Sequence, residues 1–378
     1  MSLTFNWLKS KTKTISTMNI KDKYKVNQLV GIFQEKTGWN LARVKFLVYF
    51  ICALCKLQTV NFQKLAQGLE GTSLAESKLR RIQRFFAGFY IDEDLVAKII
   101  FSLLPLEPPY RLSLDRTNWK FGSTNINILA IGICFEGVAI PLMWVMLPKR
   151  GNSNQKERTA LIDRYIRLFG TESIEGILAD REFIGDKWIG SLAEQKIRFY
   201  FRIKGNMWID LPGKGKKKVF WLFNSLKINT AYHCRDILRL GTQLVYLSGI
   251  KTINKHGKLE FVIIATYSYD PETLMVYKDR WQIETMFRAM KTSGFNLEDT
   301  HLNDIERISK LLCLVCIAFI WAYLAGIYKH SELKPIRILN NGRKAHSTFR
   351  YGLDYVAHAL LCSIKQDIKI IVKILSCT

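Results

Sequence analysis

Apolar and polar residues follow two different periods along this chain. Up to about residue 104 the apolar residues recur at helical spacing, most clearly in amphipathic runs around 24–36 and 43–57. A proline cluster at 105–109 ends the helical pattern, and from Tyr110 the pattern of apolar residues becomes strand-like. The pattern therefore predicts a mostly helical first part followed by a strand-rich unit.

The strand-rich unit has a definite order. Three strand-like runs come first, YRLSLDRTNW, INILAIGICF and VAIPLMWVML, and the last two are joined at Glu136-Gly137, which is a hairpin signal. A helix-like stretch at 154–169 leads into the strand IEGILAD, and a second helical stretch leads into IRFYFRIK. This order predicts an α/β fold with a mixed sheet flanked by helices.

Residues 205–270 interrupt that order. They contain a basic turn, PGKGKKK, and strand-like runs at 243–250 and 259–268, which together predict a β-rich insertion. A long helix is then predicted to begin near Glu272 and to run past Met290.

The helical first part contains the outline of a helix-turn-helix at 60–86. An apolar-periodic segment, VNFQKLAQGL, is followed by a glycine-containing break and then by SLAESKLRRIQRFF. Ser73 is the expected N-cap, and Arg80, Arg81 and Arg84 lie on the second helix, where they could contact DNA. A helical hairpin with a solvated basic face would give the same pattern.

The charge of the chain narrows the choice of partner. Fifty-six Lys and Arg against 32 Asp and Glu give a formal net charge of +24 and a pI near 9.7. Such an excess costs self-repulsion and is typical of proteins with a polyanionic partner. Nucleic acid is the leading candidate and an anionic membrane surface the second, while a generally basic proteome could account for part of the excess.

The cysteines and the apolar runs predict core rather than metal or membrane sites. Two C-x2-C pairs, at Cys52/Cys55 and Cys313/Cys316, lie within helix-like apolar stretches, which favours buried thiols over zinc and fits a reducing cytoplasm. The first residues, MSLTFNWLKSKTKTIS, lack the apolar core of a secretory signal. The uncharged run Leu311–Tyr328 just reaches the length of a membrane span, but a buried core helix is the preferred interpretation.

Two carboxylates follow predicted strands. Asp115 ends a strand-like run in RLSLDRTNW, and Asp180 ends another in GILADREF. A charge that adjoins an apolar core needs a partner or a metal ion. The two positions are therefore candidates for a shared site.

The predicted helix YKDRWQIETMFRAMK carries a stripe of four polar residues. Tyr277, Arg280, Glu284 and Lys291 are spaced by 3, 4 and 7 residues, which places them within about 60° of one another on a helix. An exposed helix with an Arg280–Glu284 ion pair is the simpler alternative.

Joined to the two upstream aspartates, this Y-x2-R-x3-E-x6-K stripe resembles the DDE transposases of bacterial insertion sequences. The branch that it resembles is often called insertion-sequence family four, whose members carry a β-rich insertion before the glutamate helix. All four stripe positions match, and Asp115 and Asp180 stand in similar contexts, LDRTNW and ADREF. The resemblance covers about residues 60–300.

The resemblance implies an RNase H-like mixed-sheet core that cleaves and transfers DNA strands at insertion-sequence ends. It assigns catalysis and metal binding to Asp115, Asp180 and Glu284, with two Mg²⁺ ions (Mn²⁺ could substitute). The expected units are a helical DNA-binding region (1–104), the first part of the core (105–204), the β-rich insertion (205–270), the second part of the core with the glutamate helix (271–330) and a C-terminal helical tail (331–378).

Further DNA contacts follow from the same resemblance. Phosphate contacts are expected from Tyr277, Arg280, Lys291, Arg202 and Lys204. Members of this branch often stack a flipped base on an aromatic ring. Trp208 and Trp221 are candidates for that role, although core packing is the simpler interpretation of each.

The expected partners are terminal inverted repeats and target DNA, bound by a homodimer in the bacterial cytoplasm, at the nucleoid, and not at a membrane. Three alternatives stay open: an RNase H-like nuclease or resolvase without strand transfer, a non-enzymatic DNA-binding regulator, and a basic membrane-associated protein.

Overall fold

A computed structural model describes residues 20–211, 213–254 and 256–375. The segment MSLTFNWLKSKTKTIS, predicted to lack a secretory core, lies outside the described residues, as does Pro212 of the predicted basic turn. The described α-helices are α1 (Ile20–Thr37), α2 (Leu41–Leu57), α3 (Phe62–Gly68), α4 (Ala75–Gly88), α5 (Glu93–Ser102), α6 (Gln155–Phe169), α7 (Asp186–Glu194), α8 (Thr273–Lys278), α9 (Gln282–Lys291), α10 (Ile305–Tyr328), α11 (Thr348–Cys362) and α12 (Lys365–Ile374).

The described strands form one mixed sheet of 11 strands. They are β1 (Tyr110–Phe121), β2 (Thr124–Phe135), β3 (Val138–Met146), β4 (Ile174–Ala179), β5 (Phe199–Ile203), β6 (Trp208–Leu211), β7 (Gly215–Lys218), β8 (Ala231–His233), β9 (Leu238–Leu240), β10 (Gln243–Ile253) and β11 (Leu259–Thr266). Their order in space is β3-β2-β1-β4-β5-β11-β10-β9-β6-β7, and β8 pairs with β10.

The first five strands have the RNase H-like arrangement. The meander β1–β2–β3 is antiparallel, and its β2–β3 turn at Glu136-Gly137 has positive φ at both residues, as expected for this hairpin. Strands β4 and β5 run parallel to β1, and helices α6 and α7 supply the crossovers that parallel pairing requires. The predicted α/β fold class with a mixed RNase H-like sheet is confirmed.

The six strands of residues 208–266 extend this sheet. Strand β11 pairs antiparallel with β5, with Ile263 opposite Ile203, and β10 pairs with β11. The β-rich segment therefore continues the hydrogen-bonded edge that β5 would otherwise leave open.

Helix α10 is the centre of the apolar core. It packs against β3 and against helices α2, α5 and α11, and its C-x2-C cysteines are buried as free thiols, as predicted. The segment Ile305–Leu333 is apolar and long enough to cross a membrane, but 83% of its apolar window is buried inside the protein. Trp144 of β3 donates a hydrogen bond of 2.8 Å to Ser309, which ties the helix to the sheet.

The predicted helix-turn-helix region contains two helices, α3 and α4, but its N-cap was predicted wrongly. Leu74, not Ser73, is the residue before α4, and it makes no side-chain capping hydrogen bond. Glu76 in the first turn instead supplies a negative charge near the positive end of the helix dipole.

Two glycines set how closely α10 and α11 approach. A Cβ added to Gly352 would lie 1.8 Å from the carbonyl oxygen of Ala322, and one added to Gly326 would lie 2.0 Å from that of Thr348. No ordinary contact is that short, so the two helices touch backbone to backbone.

We therefore expect Gly352→Ala to lower the free energy of unfolding by about 3 kcal/mol, because overpacking forces the two helices apart. Gly31→Ala in α1 is the matched control, since a Cβ there meets nothing within 4 Å. That control should be neutral or stabilising by up to about 1 kcal/mol. Denaturant midpoints measure both changes, and equal midpoints for the two variants would contradict the packing argument.

Candidate active site

Asp115 and Asp180 lie at neighbouring points on adjacent parallel strands. The β1–β4 pairing ends at Leu114 opposite Ala179, so Asp115 is the next residue on β1 and Asp180 is the first residue after β4. The prediction that Asp115 ends its strand was wrong. Strand β1 continues to Phe121 because β2 keeps pairing with it beyond the end of β4.

The helix that carries Glu284 is not continuous, contrary to the prediction. Helices α8 and α9 are separated by a 3₁₀ turn at Asp279–Trp281. The hydroxyl of Ser113, buried on β1, donates a 3.1 Å hydrogen bond to the carbonyl of Arg280, so that the carbonyl is satisfied by β1. The turn places Arg280 and the first turn of α9 directly against β1.

Arg280 lies at the centre of the acidic residues. Its guanidinium is 2.6 Å from Oε1 of Glu284 and 3.5 Å from Oδ2 of Asp115, and the residue is only 6% exposed. Burial lowers the pKa of Arg280, but nearby Tyr277, Glu284 and Asp180 raise it by more. A single buried cation thus serves carboxylates from three separate parts of the chain.

Asp115 is the carboxylate whose protonation the surroundings change most clearly. Burial raises its pKa to about 6, and the charges of Glu182 and Glu284 act in the same direction. The backbone N–H of Arg116, which donates to Asp115 at 2.7 Å, and the guanidinium of Arg280 oppose the rise. Asp115 is therefore short of positive charge even with Arg280 beside it.

The donor set suits a hard divalent cation. Carboxylate oxygens are preferred ligands of Mg²⁺ and Mn²⁺, and Oδ1 of Asp180 is buried with no hydrogen-bond partner. Among the described residues, no group of three His, Cys, Asp or Glu side chains is already arranged to hold a metal ion. The guanidinium of Arg280 stands between Asp115 and Glu284, so cation binding there requires it to move.

Two other residues of the helical stripe have different surroundings. Burial raises the pKa of Tyr277, and its hydroxyl is buried without a hydrogen-bond partner. Lys291 donates to the carbonyl of Asn118 at 3.1 Å and pairs with Glu298 at 2.7 Å, with only 16% of its side chain exposed. In this arrangement Lys291 anchors the end of α9 to β1, and a phosphate contact stays a prediction.

The remaining predicted DNA-contacting residues lie in three places. Arg202 on β5 forms an ion pair with Glu260 on β11, whereas Lys204 just beyond β5 is exposed. Arg80 and Arg84 line a cleft on one side of α4, and Arg81 points elsewhere, with its guanidinium 5.1 Å from the ring centroid of Phe46.

Core packing, the simpler interpretation of Trp208 and Trp221, was wrong. Each side chain is 58% exposed, because the strands and turns that carry them lie at the far end of the sheet. The ammonium of Lys218 lies 5.8 Å from the ring centroid of Trp208, and Trp221 stacks on Phe220. Both rings are thus accessible, and that of Trp208 lies beside a basic side chain.

Sequence reasoning missed the groups that hold the segment after β4. Glu182 lies beside Asp115 and within 3.4 Å of Arg116. Buried Arg158 of α6 donates to the carbonyl of Glu182 at 2.9 Å and lies over the ring of Phe183. The position of Glu182, two residues after Asp180, was the one available signal.

An RNase H-like sheet with three carboxylates gathered where its parallel strands end defines a class of enzymes that act on nucleic-acid phosphodiesters. Residues 108–321, more than half of the chain, match the family described as the transposase DDE domain, and the chain belongs to that family. It is thus a DDE-type transposase, of a family whose members act on DNA and generally use divalent metals.

Two other comparisons add less. No curated protein matches the sequence significantly. A weak likeness exists to a solved structure, a cryo-EM synaptic complex of the piggyBac transposase with hairpin DNA. The two are 12% identical with a TM-score of 0.40, over 93% of this chain and 82% of the other.

The raised pKa of Asp115 generates a prediction for the metal-free protein. Folded Asp115 keeps its proton up to about pH 6, whereas the unfolded chain loses it near its ordinary pKa of 3.8, so stability falls as pH rises through this window. The loss is up to about 3 kcal/mol, at ~1.36 kcal/mol for each pKa unit. The variant Asp115→Asn removes this pH-dependent contribution to the free energy of unfolding.

Urea unfolding in the presence of a chelator at about pH 4 and about pH 7 measures the effect. The wild-type free energy of unfolding minus that of Asp115→Asn should decrease from the lower to the higher pH. Asp163→Asn, at an exposed position on α6, controls for the loss of a carboxylate. A difference that does not change with pH would show that Asp115 titrates normally.

Proposed function

We propose that this transposase cleaves DNA strands at the ends of an insertion sequence and joins them to target DNA, using Asp115, Asp180 and Glu284 as ligands for two divalent cations. The observation that carries the proposal is the gathering of these three carboxylates around one buried guanidinium. Their charges act on Arg280 although 65 and 104 residues separate them along the chain.

The chemistry of the site agrees with phosphodiester exchange. In cleavage, water attacks phosphorus and the bond to the 3′ oxygen breaks; in transfer, the freed 3′-hydroxyl attacks a target phosphorus and displaces another 3′ oxygen. Two Mg²⁺ ions, when bound, would activate the attacking oxygen and stabilise the leaving oxygen. Burial disfavours the negative charge of Asp115, and one oxygen of Asp180 is buried without a hydrogen-bond partner, so both side chains have an oxygen to offer to a divalent cation.

Arg280 has a second role in this proposal. Cations held by Asp115 and Glu284 would repel the guanidinium, and a DNA phosphate beside the site would offer it a new bidentate partner. Tyr277, whose buried hydroxyl has no partner, would donate to the same phosphate backbone. The stripe residues would thus change from neutralising the site to orienting the substrate.

The finer assignment rests on the four stripe residues. We place the chain in insertion-sequence family four, with residues 1–104 as DNA-binding region, 205–270 as insertion and 331–378 as tail around a core of 105–204 and 271–330. A homodimer would hold two inverted-repeat ends and the target DNA, in the bacterial cytoplasm and away from membranes. The exposed rings of Trp208 and Trp221 are available to stack an unpaired base.

Asp180→Asn should abolish metal-dependent cleavage and strand transfer while leaving DNA binding intact. Loss of a metal ligand removes several kcal/mol of transition-state stabilisation, a rate loss of about a thousandfold or more. Asp163→Asn, exposed on α6, should cleave at the wild-type rate. Cleavage and joining are measured on end-labelled DNA that carries the element's own ends. Wild-type rates in Asp180→Asn would remove this residue from the site.

The binding of DNA should weaken steeply with salt. Each phosphate that a Lys or Arg neutralises adds about 0.9 to the slope of log affinity against log salt concentration, so several contacts give a steep line. Fluorescence anisotropy with labelled duplex at a series of salt concentrations measures the slope. A flat response would mean that the +24 net charge does not serve DNA binding.

A further inference from the structure

A basic cleft lies between the second helix of the predicted helix-turn-helix, α4, and the segment that enters α10. Its volume is ≈ 730 Å³, within the range of about 300–1,000 Å³ that is common for ligand sites. Its walls come from the α3–α4 pair on one side and from residues 300–307 on the other. The first wall belongs to the N-terminal helices and the second to the segment that follows the candidate active site.

The charges that line the cleft have one sign. Arg80, Arg84 and Arg307 contribute guanidinium groups, and none of the described residues that line the cleft is acidic. Arg80 pairs with Glu76 at 2.9 Å and Arg307 with Asp304 at 3.4 Å, both in solvent-exposed pairs.

Exposed pairs of this kind contribute little stability and can be exchanged for another anion. Arg84 donates only to the carbonyl of Arg80 and has no carboxylate partner among the described residues.

One residue in the wall of this cleft has a buried polar group without a partner. Thr300 lines the cleft, is 2% exposed, and its hydroxyl forms no hydrogen bond. An unsatisfied buried hydroxyl costs free energy unless a ligand supplies the missing bond. Since the charged side chains that line the same cleft are arginines, that ligand is expected to be an anion with acceptor oxygens.

The cleft is connected to the candidate active site by strand β1. The ring of His301, in the cleft wall, stacks on Phe121 with a centroid distance of 5.2 Å. Phe121 ends the strand that carries Asp115, and a strand rises about 3.3 Å per residue. Roughly 20 Å therefore separate Phe121, at the cleft, from Asp115. That distance corresponds to about six nucleotide steps of ~3.4 Å along one DNA strand.

We propose that this cleft binds the sugar–phosphate backbone of the DNA whose end reaches Asp115. Arg84, Arg80 and Arg307 contact phosphates, and the hydroxyl of Thr300 donates to a phosphate oxygen. The inference deepens the proposed function, on which it rests, and it assigns DNA contacts to Thr300 and Arg307 on the core side of the cleft. Contacts to the sugar–phosphate backbone do not read the base sequence, so the cleft sets the position and the affinity of the bound DNA.

The test is DNA binding by the full-length chain, measured by anisotropy with a labelled duplex of mixed sequence. The double variant Arg84→Ala/Arg307→Ala should weaken binding on the order of tenfold and lower the salt slope by about 2, one for each lost phosphate contact. Arg337→Ala/Arg343→Ala is the matched control: it also removes two positive charges, from exposed positions between α10 and α11 that do not line the cleft. The control should keep the wild-type affinity and slope.

The variant Thr300→Val distinguishes the loss of a DNA contact from a loss of folding. The hydroxyl that it removes has no partner in the free protein, so the thermal midpoint should not fall, yet DNA affinity should decrease severalfold. In a duplex that carries the element's own end, replacing the phosphates about six steps from the cleaved position by neutral methylphosphonates should reproduce the loss in the wild type and add little to the Arg84→Ala/Arg307→Ala variant.

The cleft assignment is overturned if the folded Arg84→Ala/Arg307→Ala variant and Thr300→Val bind duplex as the control variant does, or if Arg84→Ala/Arg307→Ala changes only the oligomeric state. That result leaves the proposed function standing as long as the wild type cleaves and joins DNA in a manner that depends on Asp180. Conversely, a wild type that binds DNA through the cleft without ever cutting it would sink the proposed function alone.

Discussion

A buried guanidinium must be neutralised, and this requirement organises the centre of the molecule. Transfer of an unpaired charge from water costs several kcal/mol even after relaxation. Arg280, 6% exposed, meets the requirement by reaching Glu284 on its own helix and Asp115 on β1, within the field of Asp180 after β4. Any fold of this chain that buries Arg280 without those groups carries an uncompensated charge, so the ion pairs select the way α9 docks on the sheet.

Much of the architecture could be predicted because it follows from local pattern. Three features can each be recognised from a few neighbouring residues. They are the change from a helical to an alternating period near Tyr110, the Glu136-Gly137 turn, and the strands separated by helices. Their order leaves few ways to build a sheet, since parallel neighbours need crossover helices. The two aspartates could be found for the same reason: each follows the apolar run of its strand.

What escaped prediction depends on contacts between distant segments. The break between α8 and α9 involves a hydrogen bond from Ser113, 167 residues before the carbonyl that it meets, and no helical periodicity records that bond. Trp208 and Trp221 are apolar residues, which local reasoning assigns to a core. Both are exposed because they lie near the end of the sheet, where little packs over them. Thr300 and Arg307 belong to no sequence motif. Their proposed role arises only because α4 packs on the opposite side of the cleft.

The packing of α10 has a mechanical consequence. Its Lys310 donates to the carbonyl of Phe86 on α4 at 3.2 Å, its Ser309 accepts from Trp144 on β3 at 2.8 Å, and Lys64 of α3 pairs with Asp299 at 3.2 Å. The helices proposed to bind DNA and the sheet that carries the carboxylates are therefore both fastened to α10 or to the segment that enters it. In the proposed function this shared helix would fix the distance between the bound DNA and the carboxylates, and with it the position of the cleaved bond.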